Sequence, residues 1–167
     1  MRNPIYGSNE FDSGAYGSVG KIVHVTPASD GTGVAAAESV ILTAADSGNR
    51  YFVNVSANTA SFRLPSASSN KGAMFHFHAD IDSDGEATKA MIVFTDATDE
   101  FIIGTCLDAG VIHDSSVADD QIKLDGGGGA LAGGDRVSVV CDGAHWYITE
   151  AVSLTAATWV SGTISRS

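Results

Sequence analysis

One stretch decides the fold: ILTAADSGNRYFVNVSANTASFRLPSASSNKG, residues 41–72. Asp46-Ser47-Gly48 predicts a turn, because Asp and Ser side chains bond to nearby backbone groups and Gly tolerates positive φ. Tyr51–Val55 is rich in aromatic and β-branched residues, which indicates a strand. The polar and apolar alternation of Ser61–Leu64 predicts a second, half-buried strand. Pro65 ends that strand, because proline has no N–H to donate to a neighbour.

The same pattern of short strands and frequent turns continues on both sides of this stretch. Helix signals are weak, and no repeat of fixed period is recognisable. The chain is therefore predicted to be all-β, an antiparallel β-sandwich or barrel. Further strands are predicted at Lys21–Thr26, Ala73–Ala79, Ala90–Thr95, Phe101–Thr105, Val111–His113, Gln121–Asp125, Arg136–Ala151 (a hairpin) and Leu154–Ile164.

Length and charge limit the class of protein. A chain of 167 residues is expected to form one domain. Its net charge of −11 argues against binding to nucleic acid, because phosphate backbones repel an acidic surface. No apolar run is long enough for a signal peptide or a membrane span, so we expect synthesis in a cytosol and no membrane partner. Cys106 and Cys141 are predicted to be buried thiols, with a disulfide between them as the alternative.

The first twenty residues differ from the rest. Residues 1–20 are rich in Gly, Ser and Asn, and residues 21–167 carry the strand pattern of a single β domain. Tyr6, Phe11 and Tyr16 are spaced about five residues apart within this segment. One interpretation is a solvated tail. The other is an extended arm whose aromatic side chains contact a neighbouring subunit, because buried parts of interfaces are enriched in aromatic residues.

Two motifs resemble metal ligands. His76 and His78 lie on one side of a predicted strand, but the carboxylate spacing of a cupin site is missing, so an exposed or interface-lining face is the better interpretation. Asp80, Asp82, Asp84 and Glu86 form a calcium-like run with Gly85 at the bend. Met91 stands where an EF-hand has its bidentate Glu. We therefore expect no cofactor, with calcium as the alternative at this loop.

Two segments predict apolar surface. Ala90–Thr95 is apolar on both faces, which predicts either a strand buried on both sides or one that contacts another subunit. Asp142-Gly143 predicts a two-residue hairpin turn. That register places Val137, Val139, Trp146 and Ile148 in the core, and Val140, His145 and Tyr147 on the other face.

These faces lead to a prediction about assembly. Apolar side chains that point outward would be left in water by a lone β domain, so we expect contacts between copies of the chain. The residues expected to contact another subunit are Met74, Met91, Val93, Val140 and Tyr147, together with Tyr6, Phe11 and Tyr16 of the arm.

A family resemblance then becomes visible. The motifs are Leu42-Thr43-Ala44-Ala45-Asp46-Ser47-Gly48, Tyr51-Phe52-Val53, Leu64-Pro65, Lys71-Gly72, Phe75-x-Phe77, Gly134-Asp135-Arg136-Val137 and Asp142-Gly143-x-x-Trp146-Tyr147. Over residues 39–152 the chain resembles small virion proteins of tailed bacteriophages, which include capsid decoration (cement) proteins and modules of tail fibres. The resemblance implies a jelly-roll or β-tulip-like subunit that trimerises on the outside of the shell.

Three functions compete at this point. The first is a decoration protein that binds the major capsid protein, located on the capsid exterior and made in the host bacterial cytoplasm. The second is a tail or tail-fibre component that recognises host-surface glycans. The third, an enzyme, is disfavoured, because Ser, His and Asp occur in no recognisable catalytic context.

Overall fold

A computed structural model describes residues 20–27, 40–55, 58–80, 89–97, 99–115, 119–124, 131–154 and 157–161. Within these residues the regular structure is thirteen strands and two single turns of 3-10 helix, at Ala44–Asp46 and Ala67–Ser69. The predicted all-β class is therefore confirmed. The strands are β1 (Ile22–Val25), β2 (Val40–Ile41), β3 (Arg50–Val53), β4 (Ala60–Arg63), β5 (Met74–Ala79), β6 (Met91–Phe94), β7 (Ile102–Ile103), β8 (Thr105–Asp108), β9 (Val111–Asp114), β10 (Asp119–Leu124), β11 (Arg136–Cys141), β12 (Trp146–Ser153) and β13 (Ala157–Ser161).

The strands form two sheets. The long sheet has the order β1-β3-β5-β11-β12-β8-β9, with β7 also paired to β12, and the short sheet has the order β13-β10-β6-β4-β2. Pairs β1–β3, β3–β5, β2–β4 and β4–β6 are parallel, whereas β5–β11, β11–β12, β6–β10 and β10–β13 are antiparallel. The prediction of antiparallel sheets is therefore wrong: both sheets are mixed.

The parallel pairs arise because the first six strands alternate between the sheets. β1, β3 and β5 lie side by side in the long sheet, and β2, β4 and β6 lie side by side in the short one. The connection between two parallel neighbours in one sheet therefore contains a strand of the other sheet. That strand is part of the long crossover that parallel pairing requires. Ile22 pairs with Arg50 and Arg50 with His76, whereas Val40 pairs with Phe62 and Phe62 with Val93. The number of residues between paired positions differs from one pair to the next, so a search for a repeat of fixed period does not detect the alternation between the sheets.

The two sheets share one hydrophobic core. Phe62 of the short sheet lies between two aromatic rings of the long sheet, with ring centroids 5.5 Å from Tyr51 and 4.8 Å from Phe77. All three side chains are buried, and so is Trp146, which packs on Phe75 with centroids 5.6 Å apart. Buried aromatic rings contribute large contact areas, so this cluster is the main link between the sheets.

The stretch at residues 41–72 folds largely as predicted. Asp46 accepts hydrogen bonds from the Thr43 amide at 2.9 Å and the Thr43 hydroxyl at 2.7 Å, which closes the 3-10 turn. Gly48 has φ +85° and donates its amide to the Met74 carbonyl at 2.7 Å, which ties the turn to β5. The two predicted strands are present as β3 and β4, but they belong to different sheets.

The β11–β12 hairpin has a longer loop than predicted. Cys141 pairs with Trp146 and Val140 with Tyr147, so four residues form the loop instead of two. Asp142 accounts for the difference: its carboxylate accepts the amides of Ala144 at 2.7 Å and His145 at 2.8 Å. The predicted register is therefore wrong. The shift is two positions from Cys141 to Val139, which keeps the faces there, and a bulge between Ser138 and Val139 makes it three for Ser138 and Val137. Val137, Val139 and Trp146 are buried as predicted, and Ile148 packs against the core partly buried.

Candidate functional site

The long sheet has one face on the core and one face, here called the outer face, that points away from it. Registers across neighbouring strands arrange its side chains in three rows. The first, called the aromatic row, consists of His24, Phe52, His78, Arg136, Val152, Leu107 and Ile112. The second, called the polar row, consists of Ile22, Arg50, His76, Ser138 and Glu150. The third, called the apolar row, consists of Met74, Val140, Tyr147 and Ile103.

Three rings of the aromatic row stack on one another. Phe52 lies between two imidazoles, with centroids 5.6 Å from His24 and 5.3 Å from His78 and small angles between the planes. Burial lowers the pKa of His78, and the neighbouring His76 lowers it further. His78 is therefore a neutral ring at neutral pH, which suits stacking on Phe52.

The polar row holds a second imidazole in a fixed orientation. His76 Nδ1 lies 3.0 Å from Ser138 Oγ, and burial followed by the charge of Arg50 lowers the pKa of His76. Ser138 is 3% exposed, so its hydroxyl positions the imidazole and is not presented to a substrate. At the end of the row Glu150 accepts a hydrogen bond from Arg136 Nε at 2.6 Å.

A groove runs over these rows. Its volume is about 620 Å³, which is within the usual range for small-molecule sites. The Arg50 guanidinium forms no ion pair with any residue in the part of the chain that the structure describes. The groove thus combines one cation that has no ion-pair partner among the described residues, two neutral imidazoles and one carboxylate. The lining residues are Arg50, Phe52, His76, His78, Ser138, Thr149 and Glu150.

Three of the predicted contact residues lie together on the outer face. Met74 pairs with Val140, and Val140 pairs with Tyr147, so they are neighbours in the apolar row. Met74 is 39% exposed and Tyr147 37% exposed. Tyr6, Phe11 and Tyr16 lie outside the described residues.

Met91 and Val93 do not belong to any contact surface. Both are completely buried in the shared core, so the prediction that they face outward is wrong. The physical reason is that Met91 and Val93 share a face with Ala60 and Phe62, their partners on β4, and this face belongs to the core between the two sheets. Phe94, on the opposite side of the strand, is also buried. Of the two interpretations of this apolar strand, burial on both sides is the correct one.

The calcium-like run is only partly described. The Asp80 carboxylate lies 4.0 Å from His24 Nδ1, while Asp82, Asp84 and Glu86 lie outside the described residues. Among the residues that are described, no group of three or more His, Cys, Asp or Glu side chains is placed to hold a metal ion.

The two thiols lie in the protein interior. Cys106 and Cys141 are both free and buried, as predicted. Burial raises the pKa of the Cys106 thiol to about 11, and burial also raises the pKa of the Cys141 thiol. Cys141 Sγ donates to the Ala67 carbonyl at 3.3 Å. Both thiols therefore act as small core side chains.

The sequence reasoning did not find the groove. Its residues come from two distant parts of the chain, strands β3 and β5 on one side and the β11–β12 hairpin on the other. Arg50 and Phe52 alternate with Tyr51 and Val53, and this pattern could have placed them on one outward face. The pairing of Arg50 with His76, however, depends on the parallel register of β3 and β5, for which the local sequence carries no signal.

Comparison with known proteins adds no relative: no protein-family model and no curated protein matches this chain. In the described part of the chain no helix has the length and apolar character needed to cross a membrane.

Proposed function

We propose that this protein is a structural component of a tailed-phage virion, a decoration protein that binds the outer surface of the major capsid shell and stabilises it. In this role it is made in the host bacterial cytoplasm, catalyses no reaction and needs no cofactor. Three features support the proposal: the resemblance over residues 39–152, the net charge of −11 and the two-sheet β domain. An acidic surface keeps a protein soluble and away from packaged nucleic acid. A β-sandwich-like subunit of jelly-roll or β-tulip type is part of the same proposal.

The observation that carries this proposal is the apolar row of the outer face. Met74 and Tyr147 are exposed on either side of the half-buried Val140, and the three form an apolar strip beside Arg50, His76 and Ser138 of the polar row. An exposed apolar strip with a polar surround is typical of a contact surface between proteins. We assign this strip to the contacts within a homotrimer. Polar surfaces of the trimer are then left to face the shell.

The deciding experiment is reconstitution on capsids. Purified protein is titrated onto expanded shells assembled from the major capsid protein alone, and occupancy is measured by quantitative mass spectrometry and cryo-electron microscopy. We expect saturation at a copy number that matches the number of local symmetry positions on the shell, and an increased melting temperature of the decorated shell. Absence of binding, or saturation at a few copies per particle, would contradict the proposal.

A second experiment tests the arm. Removing residues 1–19 should lower occupancy by much more than it lowers melting temperature, because each buried aromatic anchor contributes on the order of 1–3 kcal/mol to binding. Gly20 is kept, because an added Cβ there would lie 1.6 Å from the Gly48 carbonyl oxygen, which shows how closely Gly20 approaches the domain. Replacing Tyr6, Phe11 and Tyr16 by Ser should act in the same direction. Unchanged occupancy for both variants would identify the segment as a tail.

One observation favours the alternative, a tail or tail-fibre component that binds host-surface glycans. The groove across Arg50, His76 and Glu150 offers hydrogen-bond donors and acceptors of a kind that can bind hydroxyl groups. Copy number separates the two functions, because shell proteins occur in hundreds of copies per particle and tail proteins in a few.

A further inference from the structure

We propose that the groove on the outer face of the long sheet is a binding site for a carboxylated sugar, such as a uronate unit of an acidic polysaccharide. Arg50 would bind the sugar carboxylate, and Glu150 and Thr149 would bind its hydroxyl groups. This proposal holds for a protein on the head or on the tail of a particle, so it can fail while the decoration role stands.

The charge distribution of the groove favours an anionic group. The chain carries 20 acidic and only 9 basic residues, yet Arg50 and Arg136 lie in two adjacent rows of one face, and of the two only Arg136 is paired with a carboxylate among the described residues, that of Glu150. Within the described residues the Arg50 guanidinium has no carboxylate partner. A guanidinium binds a carboxylate through two parallel hydrogen bonds, which gives both affinity and orientation. A carboxylate is therefore the group that Arg50 is suited to bind.

The rest of the groove favours hydroxyl groups beside that carboxylate. Glu150 is bonded to Arg136 through Oε1, and its side chain remains 45% exposed, so it retains acceptor capacity for a ligand. Thr149 adds a hydroxyl, and the Phe52 side chain adds an apolar wall. A bare anion would gain nothing from Glu150, whereas a sugar acid presents hydroxyls and C–H groups next to its charge. The mixture of groups thus fits a carboxylated sugar better than a simple anion.

The size of the site favours a small ligand over a protein partner at this position. The groove is open to solvent, with a volume of about 620 Å³, and this size suits a ligand of a few rings. A stable protein contact needs a much larger surface, of about 800 Å² on each partner. The apolar row beside the groove is the part of this face that suits a protein contact.

Binding should be coupled to protonation of the two imidazoles. The charged groups that face them are Arg50 on β3, Arg136 on β11 and Glu150 on β12, and His24 on β1 stands beyond Phe52 in the same row. A bound carboxylate stabilises a protonated imidazole, so the complex takes up protons. Ser138 Oγ can donate to neutral Nδ1 or accept from protonated N–H, so His76 keeps this hydrogen bond in both states.

Isothermal titration calorimetry of the full chain tests the site. The probes are a short oligogalacturonate, the corresponding neutral oligosaccharide and acetate. We expect the oligogalacturonate to bind at least about tenfold more tightly than either control, and its affinity to rise from about pH 7.5 to about pH 5.5 with net uptake of protons. Arg50→Gln should weaken binding by about tenfold or more, and the matched variant Arg63→Gln on the short sheet should not change it.

NMR on the unsubstituted protein locates the site without relying on a variant. Addition of oligogalacturonate should move the imidazole resonances of His76 and His78 and raise the pKa of both rings, while the resonances of His113 and His145 stay in place. Acetate binding as tight as the oligogalacturonate would reduce the groove to a simple anion site and overturn the sugar assignment. Full affinity in a folded Arg50→Gln protein, or unmoved His76 and His78 resonances, would overturn the site itself.

Discussion

Strands β3 and β5 each contribute to two aromatic clusters, one on each face of the long sheet. On the inner face Tyr51 and Phe77 stack with centroids 5.4 Å apart, and on the outer face Phe52 and His78 stack at 5.3 Å. The ring geometry is nearly the same. The inner rings, however, are buried against Phe62 of the short sheet, whereas the outer rings are only partly covered and include groups that titrate.

This difference shows that burial, and not ring contact, separates a cluster that holds the two sheets together from one that is open to solvent. The free energy gained on folding scales with the apolar area removed from water. The inner rings lose nearly all of their exposed area, so they hold the sheets together. The outer rings retain contact with solvent, so they are available to a ligand.

Substitution of the inner cluster should have the largest effect. Phe77→Ala and Phe62→Ala should each lower the free energy of unfolding by about 3–5 kcal/mol, because each removes a fully buried ring and leaves a cavity. The matched outer variant is Phe52→Ala, for which we expect less than half of that loss. Urea unfolding followed by circular dichroism measures both. Equal losses for Phe52→Ala and Phe77→Ala would show that the stacked rings of the outer face stabilise the fold as much as the inner rings do.

One buried and one exposed carboxylate provide the second comparison. Asp135 is fully buried, and its carboxylate accepts the amides of Leu154 at 2.7 Å and Ala132 at 3.2 Å. Asp135→Ala leaves both donors without this acceptor, so the free energy of unfolding should fall by about 1–3 kcal/mol. Glu150→Gln breaks an exposed ion pair instead and should cost at most about 1 kcal/mol. The comparison fails if thermal unfolding gives the two variants the same loss.

The apolar row should affect assembly more than stability. Replacing Met74 and Tyr147 by Ser should change the free energy of unfolding of the subunit by only about 0.5 kcal/mol per site. In light scattering the same variant should shift the mass from trimer toward monomer, because the row loses most of its apolar surface. Ile41→Ser, at a residue 59% exposed on the short sheet, is the control and should leave the mass unchanged. A trimer that persists in the double variant would place its contacts elsewhere.

Alternation along each strand allowed the faces to be predicted from the sequence. Phe75 and Phe77 are buried, while His76 and His78 lie on the outer face, as their period of two indicates. The same reasoning placed Val137, Val139 and Trp146 in the core, although the predicted loop was too short. Face assignments therefore survive an even shift in register, which is the shift found for Val139, Val140 and Cys141.

Strand direction and the groove could not be predicted in the same way. A period of two is equally compatible with parallel and antiparallel pairing, and the choice here follows from the alternation of β1 to β6 between two sheets. The both-sided apolar pattern of β6 was also ambiguous, because a buried central strand and a contact strand have the same composition. Met91 and Val93 were assigned wrongly for that reason.

The smallest expected effect concerns the two imidazoles and the pH dependence of stability. Burial lowers the pKa of His76 and His78 in the folded protein, while in the unfolded chain both titrate near the ordinary value of about 6.5. As pH falls through this value the unfolded state binds protons before the folded state does, so the free energy of unfolding decreases on acidification. The loss begins near the unfolded value and ends once the pH is below the folded-state pKa.

A His76→Asn/His78→Asn variant should therefore show a shallower dependence of the free energy of unfolding on pH, between about pH 7 and about pH 5, in urea titrations. Met74→Gln, on the same face but without a titrating group, should keep the slope of the unsubstituted protein. If the double histidine variant kept that slope as well, the pKa values of the outer imidazoles would not differ between the folded and unfolded states. The two faces of β5 would then differ only in how tightly their side chains are packed.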